Sequence, residues 1–124
     1  MRVFKTKPFR QWASKEGLAD ADLRNAIDEM ERGLIDAKLG GHVFKKRVPT
    51  QGRGKRGGLR TLLAFKHEGK AIFMYGFAKS QRANIQDDEL KALKKYAKVL
   101  LAYSDQALTA ACKSGALYEV EDDG

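Results

Sequence analysis

A chain of 124 residues is long enough to bury a core without disulfides or metal clips, and a single domain over residues 1–124 is the expectation. Its 43% hydrophobic and 32% charged residues suit a soluble globular protein, and its longest apolar run, AIFMYGFA from Ala71 to Ala78, is far too short to span a bilayer. The net charge of +8 points to an anionic partner, and Cys112, the only cysteine, excludes an internal disulfide and a cysteine-based zinc cluster.

The N-terminal MRVFKTKPFRQW contains no apolar run followed by a small-residue cleavage site, so no secretory signal is expected and the location predicted is cytoplasmic. Val3 to Thr6 reads as a short strand. Thr6 then serves as an N-cap with Pro8 in the first turn, predicting a helix through Phe9, Trp12 and Ala13 that stops at Gly17. A second helix, capped by Asp20 or Asp22, carries Leu23, Ile27, Met30 and Leu34 on one stripe and is expected to end near Gly40 and Gly41. Three strand-like segments follow: Val43–Val48, Leu59–Lys66 and Ala71–Ala78. The last two are joined by a hairpin turn at His67–Lys70. Their near-continuous apolar character predicts central strands covered by helices on at least one face. A third helix from about Asp87 to Tyr103 turns Leu90, Leu93, Ala97, Leu100 and Leu101 inward. Ser104 caps a fourth that ends by Gly115, with Cys112 as a small buried hydrophobe. Residues 115–124 read as one more short strand, ALYEV, and an acidic tail, EVEDDG; the tail is either simply solvated or folded back to screen the basic face.

The positive charge is concentrated. Residues 1–39 carry 8 basic and 7 acidic side chains, residues 40–82 carry 11 and 1, and residues 83–124 carry 5 and 8. Apolar strands inside the basic block predict a folded anion-binding face rather than a disordered arm, with nucleic acid the leading partner. The segment QGRGKRGGLR, Gln51 to Arg60, places four cations among four glycines directly before a buried strand. If the hairpin is centred between Glu68 and Gly69, paired residues have numbers summing to about 137. Arg60 then sits opposite Phe77, and Lys55–Gly58 lie at the same sheet end as Lys79–Arg82. This register places Arg60, Leu62, Tyr75 and Phe77 on one face, and an antiparallel preceding strand adds Lys45, Lys46 and Arg47. Cations beside aromatic rings are what single-stranded nucleic acid requires, charge for phosphates and rings for bases.

Arg60 stands out because a guanidinium in an apolar strand must pair with a carboxylate or face an anion, and the basic block offers only Glu68, at the far turn. Arg53, Lys66 and Lys70 read most simply as solvated charges. The glycines make a tight connection and also allow backbone amides to approach phosphates, but the P-loop ending and its helix are missing. His67 falls about 24 Å along the strand from Arg60, at the opposite end of the sheet. His42 begins a strand and is a weak candidate for acid–base chemistry. A metal-dependent nuclease needs clustered carboxylates, which the basic block lacks, so neither metal nor other cofactor is expected.

The order of strand, two helices, three antiparallel strands and C-terminal helices, with GRGKRGGLR entering one strand and FAKSQRANI leaving the next, resembles the RelE/HigB superfamily of toxins from bacterial toxin–antitoxin modules. The pairing of GKRGGLR with FAKSQRANI resembles a HigB-like branch. The resemblance implies a small α+β fold: an antiparallel sheet of about four strands with two N-terminal helices packed on it, and C-terminal helices. It implies an mRNA interferase that enters the ribosomal A site, cuts the message without a metal and is held inactive by an antitoxin encoded beside it. In that chemistry the ribose 2′-hydroxyl attacks the adjacent phosphate while Arg and Lys side chains stabilise the transition state. The strand arginine of the family pattern falls on Arg60, the later basic residues on Lys79 and Arg82, and the lysines before the strand arginine on Lys45, Lys46 and Lys55. The catalytic set implied is thus Arg60, Lys79, Arg82 and Lys55, with Lys45, Lys46, Arg47, Arg53, Arg56 and Tyr75 as RNA contacts. Many such toxins carry a tyrosine or histidine on the C-terminal helix where this chain has Ile85, Gln86 and Asp87. Tyr75 is a candidate to stack and a lysine of lowered pKa a candidate base, and the general acid and base are unassigned. Two other readings stay open: a non-catalytic RNA- or ribosome-binding module, and an inactivated toxin that mainly binds its antitoxin.

Overall fold

Residues 1–49 and 58–121 are described by the structure, a computed structural model. Strand β1 (Arg2–Thr6) runs directly into helix α1 (Lys7–Glu16), because the Phe9 amide donates to the Thr6 hydroxyl at 3.3 Å and Pro8 occupies a first-turn position that needs no amide hydrogen. Gly17, at φ +77°, ends the helix in the left-handed conformation. Helix α2 (Asp20–Glu31) starts where Asp22 accepts from the Ala19 amide at 2.9 Å, and it buries Leu23, Ala26, Ile27 and Met30. It is shorter than its apolar stripe implies. Gly33 at φ +89° and a Leu34 amide donating to the Glu29 carbonyl close the last turn, which leaves Leu34 55% exposed. The residues expected to continue the helix instead form an edge strand, β2 (Ala37–Gly40), paired with β3 (Val43–Val48).

Strands β4 (Leu59–Lys66) and β5 (Lys70–Ala78), helices α3 (Asp87–Leu101) and α4 (Asp105–Ser114), and strand β6 (Leu117–Glu119) complete the chain. Ser104 caps α4 by accepting from the Ala107 amide at 3.1 Å. The sheet has six strands in the order β2-β3-β4-β5-β1-β6, and it is mixed: β1 lies parallel to β5 and antiparallel to β6. This corrects the expected antiparallel sheet of about four strands. The N-terminal strand inserts between β5 and the C-terminal strand, so the two ends of the described chain are neighbours. Alternation on β1 sends Val3 toward α1 and α2 and Phe4 toward α3 and α4, because helices cover both faces of the sheet. Cys112 is half-buried on α4, where desolvation pushes its thiol pKa up. At the far edge, the Glu121 amide donates to Asp20 at 3.0 Å; the rest of the acidic tail lies outside the described residues.

The β4–β5 register positions the candidate site. Arg60 pairs with Phe77 and Leu62 with Tyr75, as the sum of 137 requires; from Leu63–Phe73 to Lys66–Lys70 the sum is 136. The difference is a bulge at Met74. Without it, Tyr75 and Phe77 would point away from Ile72 and Met74; with it, all four face α3. Gly76, between the two aromatics, faces α1, where a Cβ would overlap the Trp12 ring. Gly76→Ala is therefore expected to cost about 1–3 kcal/mol, read as a lower midpoint in urea with part of the loss restored by Trp12→Phe.

Candidate nucleic-acid interface

Two cross-strand rows run over the α3 side of the sheet. One is Arg47–Arg60–Phe77 and the other Lys45–Leu62–Tyr75, contributed by β3, β4 and β5 in turn. Directly opposed residues share a face, so Lys45, Arg47, Arg60 and Tyr75 gather where α3 no longer covers the strands. Arg47 is exposed; Lys45, Arg60 and Tyr75 are half-buried. Two arginines directly opposite one another repel and weaken the pairing. Gly58 delivers Arg60 into the strand. It has φ +58°, a Cβ there would lie 2.8 Å from the Val48 carbonyl oxygen, and its own carbonyl lies 3.5 Å from Arg60 Nη1.

Arg82 leaves the turn after β5 and comes back over the same face. Its Nη1 donates to the Tyr75 hydroxyl at 3.0 Å, its two terminal nitrogens grip Glu89 at 2.5 and 3.1 Å, and its Nε donates to the Asn84 carbonyl at 3.0 Å. The guanidinium also lies 5.9 Å from the centre of the Phe77 ring. Glu89 is the third residue of α3 and simultaneously accepts from the Gln86 amide at 2.8 Å, so the cap of α3 and the clamp on Arg82 are one carboxylate. The hydrogen bond from Arg82, then the Gln86 amide, hold Glu89 below its ordinary carboxylate range. Glu89 first and Tyr75 second hold Arg82 still further into its charged form.

A family model described as the RelE toxin of the RelE/RelB toxin–antitoxin system matches residues 1–120. The chain belongs to this family. A search of curated proteins found no match. As a RelE-family toxin the chain has a cognate antitoxin as its partner, and toxins of the family are generally ribonucleases.

In this RelE toxin the sequence-predicted site residues divide into three groups. Lys45, Arg47, Arg60, Tyr75 and Arg82 are brought together as described, and Lys79 is exposed in the turn at the same end of the sheet. Lys46 is set apart. Strand alternation sends it to the α2 face, where it is 5% exposed and its Nζ donates to Glu29 at 2.7 Å and to the Leu34 carbonyl at 3.0 Å. Lys46→Ala is accordingly expected to destabilise the fold by about 2–3 kcal/mol and to leave RNA binding per folded molecule unchanged, as measured by denaturant midpoints beside electrophoretic shifts. Arg53, Lys55 and Arg56 lie outside the described residues. Phe77 is no base-stacking surface, being 3% exposed beneath Arg82, whereas Tyr75 keeps an accessible edge.

Glu89 is the participant the basic block conceals, because it lies past residue 82 and reads as an ordinary helix-start carboxylate. Its spacing from Gln86 marks the cap; nothing in the spacing marks Arg82 as the second partner. The histidines are remote from the rows. His67 is exposed at the far hairpin, its Nδ1 2.5 Å from Glu31, and His42 occupies the β2–β3 turn. No helix among the described residues is long and apolar enough to cross a membrane, and none of their His, Cys, Asp and Glu side chains form a group of three or more that could hold a metal ion.

Proposed function

We propose that this toxin, as a HigB-like member of its family, is a metal-independent endoribonuclease that cuts messenger RNA on the ribosome. The observation that carries the reading is the pair of cross-strand rows, which bring Arg47, Arg60, Lys45 and Tyr75 to one face of the sheet. An RNA strand laid across them meets clustered cations and one aromatic edge. The ribose 2′-oxygen attacks the adjacent phosphorus and loses its proton, and the 5′-oxygen leaves with a proton, giving a cyclic phosphate and a 5′-hydroxyl end. Arg60, held by a central strand, stabilises the extra negative charge on the non-bridging oxygens; Lys79 acts from the turn beside it. The Tyr75 oxygen accepts from Arg82, so its own O–H is directed elsewhere and is placed to donate to a phosphate oxygen.

Inducible expression with mapping of message 5′ ends tests this directly. Growth arrest and new cuts in translated messages are expected from the wild-type chain and none from Arg60→Ala; an uncut message from folded wild-type protein would sink the catalytic reading. One observation favours the second reading, an RNA-binding or inactivated toxin: Arg82 is already engaged by Glu89 and brings no uncompensated charge to the RNA. That reading predicts strongly salt-dependent RNA binding with the strand left intact.

A further inference from the structure

A second cationic surface lies at the opposite end of β3 and β4, about 14 Å along β4 from Arg60. Here the β2–β3 turn faces α3 across an open cleft of about 610 Å³, in which His42 opposes Lys94, Lys95 and Lys98 over a floor of Leu101 and Ala102. The turn is a two-residue hairpin connection with Gly41 at φ +59° and His42 at φ +63°, the mirror-image geometry that fits strand twist. Lys94 lies along it: a Cβ on Gly41 would stand 3.2 Å from the Lys94 Cγ. Among the described residues no carboxylate lines the cleft.

We propose that this cleft docks an acidic amphipathic segment of the cognate antitoxin, its carboxylates meeting Lys94, Lys95 and Lys98 and its apolar residues covering Leu101. The proposal rests on membership of the toxin family and not on RNA cleavage. Three features favour a protein segment over RNA. The floor is apolar, and lysine stems extend it while their ammonium groups form the rim. Among the described residues neither an aromatic ring nor an arginine fork lines the cleft, the two groups that hold bases and phosphates best. The first turn of α3, with Asp87, Asp88 and Glu89, carries negative charge at the end of the helix nearest the arginine rows, so the two basic surfaces are not one continuous track. Glu121 is not the occupant: it lies against Asp20 beside β6, four strand spacings, about 19 Å, from β3.

The test uses Lys95→Glu/Lys98→Glu, two exposed positions whose reversal leaves the core untouched. The affinity of the purified toxin for the purified antitoxin encoded beside it is measured by calorimetry across a salt series, and message cleavage is measured without antitoxin. The expected result is a dissociation constant raised about tenfold or more, a flatter salt dependence and unaltered cleavage. An unchanged dissociation constant overturns the proposal. So does a loss of ribosome binding with antitoxin affinity intact, which would make the cleft an RNA contact. Antitoxin binding that depends on these lysines in a chain that cleaves nothing would leave the docking site standing and remove the nuclease reading instead.

Discussion

Arg60→Ala is expected to lower message cleavage by about 10²–10³-fold while the chain stays folded, the loss typical of removing one transition-state donor. The side chain leaves β4 on the half-buried end of its face, so truncation opens no core cavity. It also relieves the repulsion from Arg47 across the strand pair. That combination separates a functional arginine from a structural one. Arg60→Lys should recover only a small part of the activity, because a point charge does not reproduce the fork that reaches two phosphate oxygens. The decisive readout is single-turnover cleavage beside a binding isotherm: lost cleavage with RNA affinity within a few-fold of wild type supports transition-state stabilisation, and an equal loss of both would reassign Arg60 to simple binding.

Arg82→Ala is expected to reduce cleavage by about 10²-fold, for two reasons that act together. The Tyr75 hydroxyl loses the donor that orients it, and Glu89 keeps its negative charge close to the path of the RNA with no guanidinium to offset it. Glu89→Gln tests the division between these effects. It leaves the arginine in place and removes the opposing charge, so RNA affinity should rise while cleavage falls, if orientation of Tyr75 is what matters. A fall in affinity with no change in the cleavage step would count against the clamp. The pH dependence of stability carries a second signature. The Glu89 pKa is lowered by Arg82, so the ion pair contributes stability that is fully present above the ordinary Glu range, near pH 4.5, and is lost as pH falls through the lower folded-state value. Glu119, lowered chiefly by its hydrogen bonds from Arg2, gives the same sign where β1 meets β6. Glu89→Gln should therefore flatten the acid side of the stability profile, and its difference from the wild type should shrink as pH falls below the ordinary Glu range.

Much of the local architecture is written in short-range chemistry. Thr6 with Pro8, Gly17, and Ser104 with Gly115 mark helix ends that depend only on neighbouring amides and carbonyls, and the structure places α1 and α4 between them. The hairpin turn brings Arg60 opposite Phe77 from composition and spacing alone, since two strands joined by a tight turn have few registers open to them. The second helix misled because its apolar spacing continues through Leu34, while the Gly33 conformation that ends it shows only weakly in the residue pattern.

What the sequence by itself determined is the basic character of residues 40–82, the helix caps, and the pairing that carries Arg60 and Tyr75. Each depends on residues within a few positions of one another or across one short turn. The tertiary structure decided the rest: β1 parallel to β5 between strands distant in sequence, the face assigned to Lys46, the bulge at Met74 that aims Tyr75, and the grip of Glu89 on Arg82. Long-range pairing and the packing of helices on both faces of a sheet set these features, and a strand's two-residue alternation does not say which of its faces will meet a helix and which an anion.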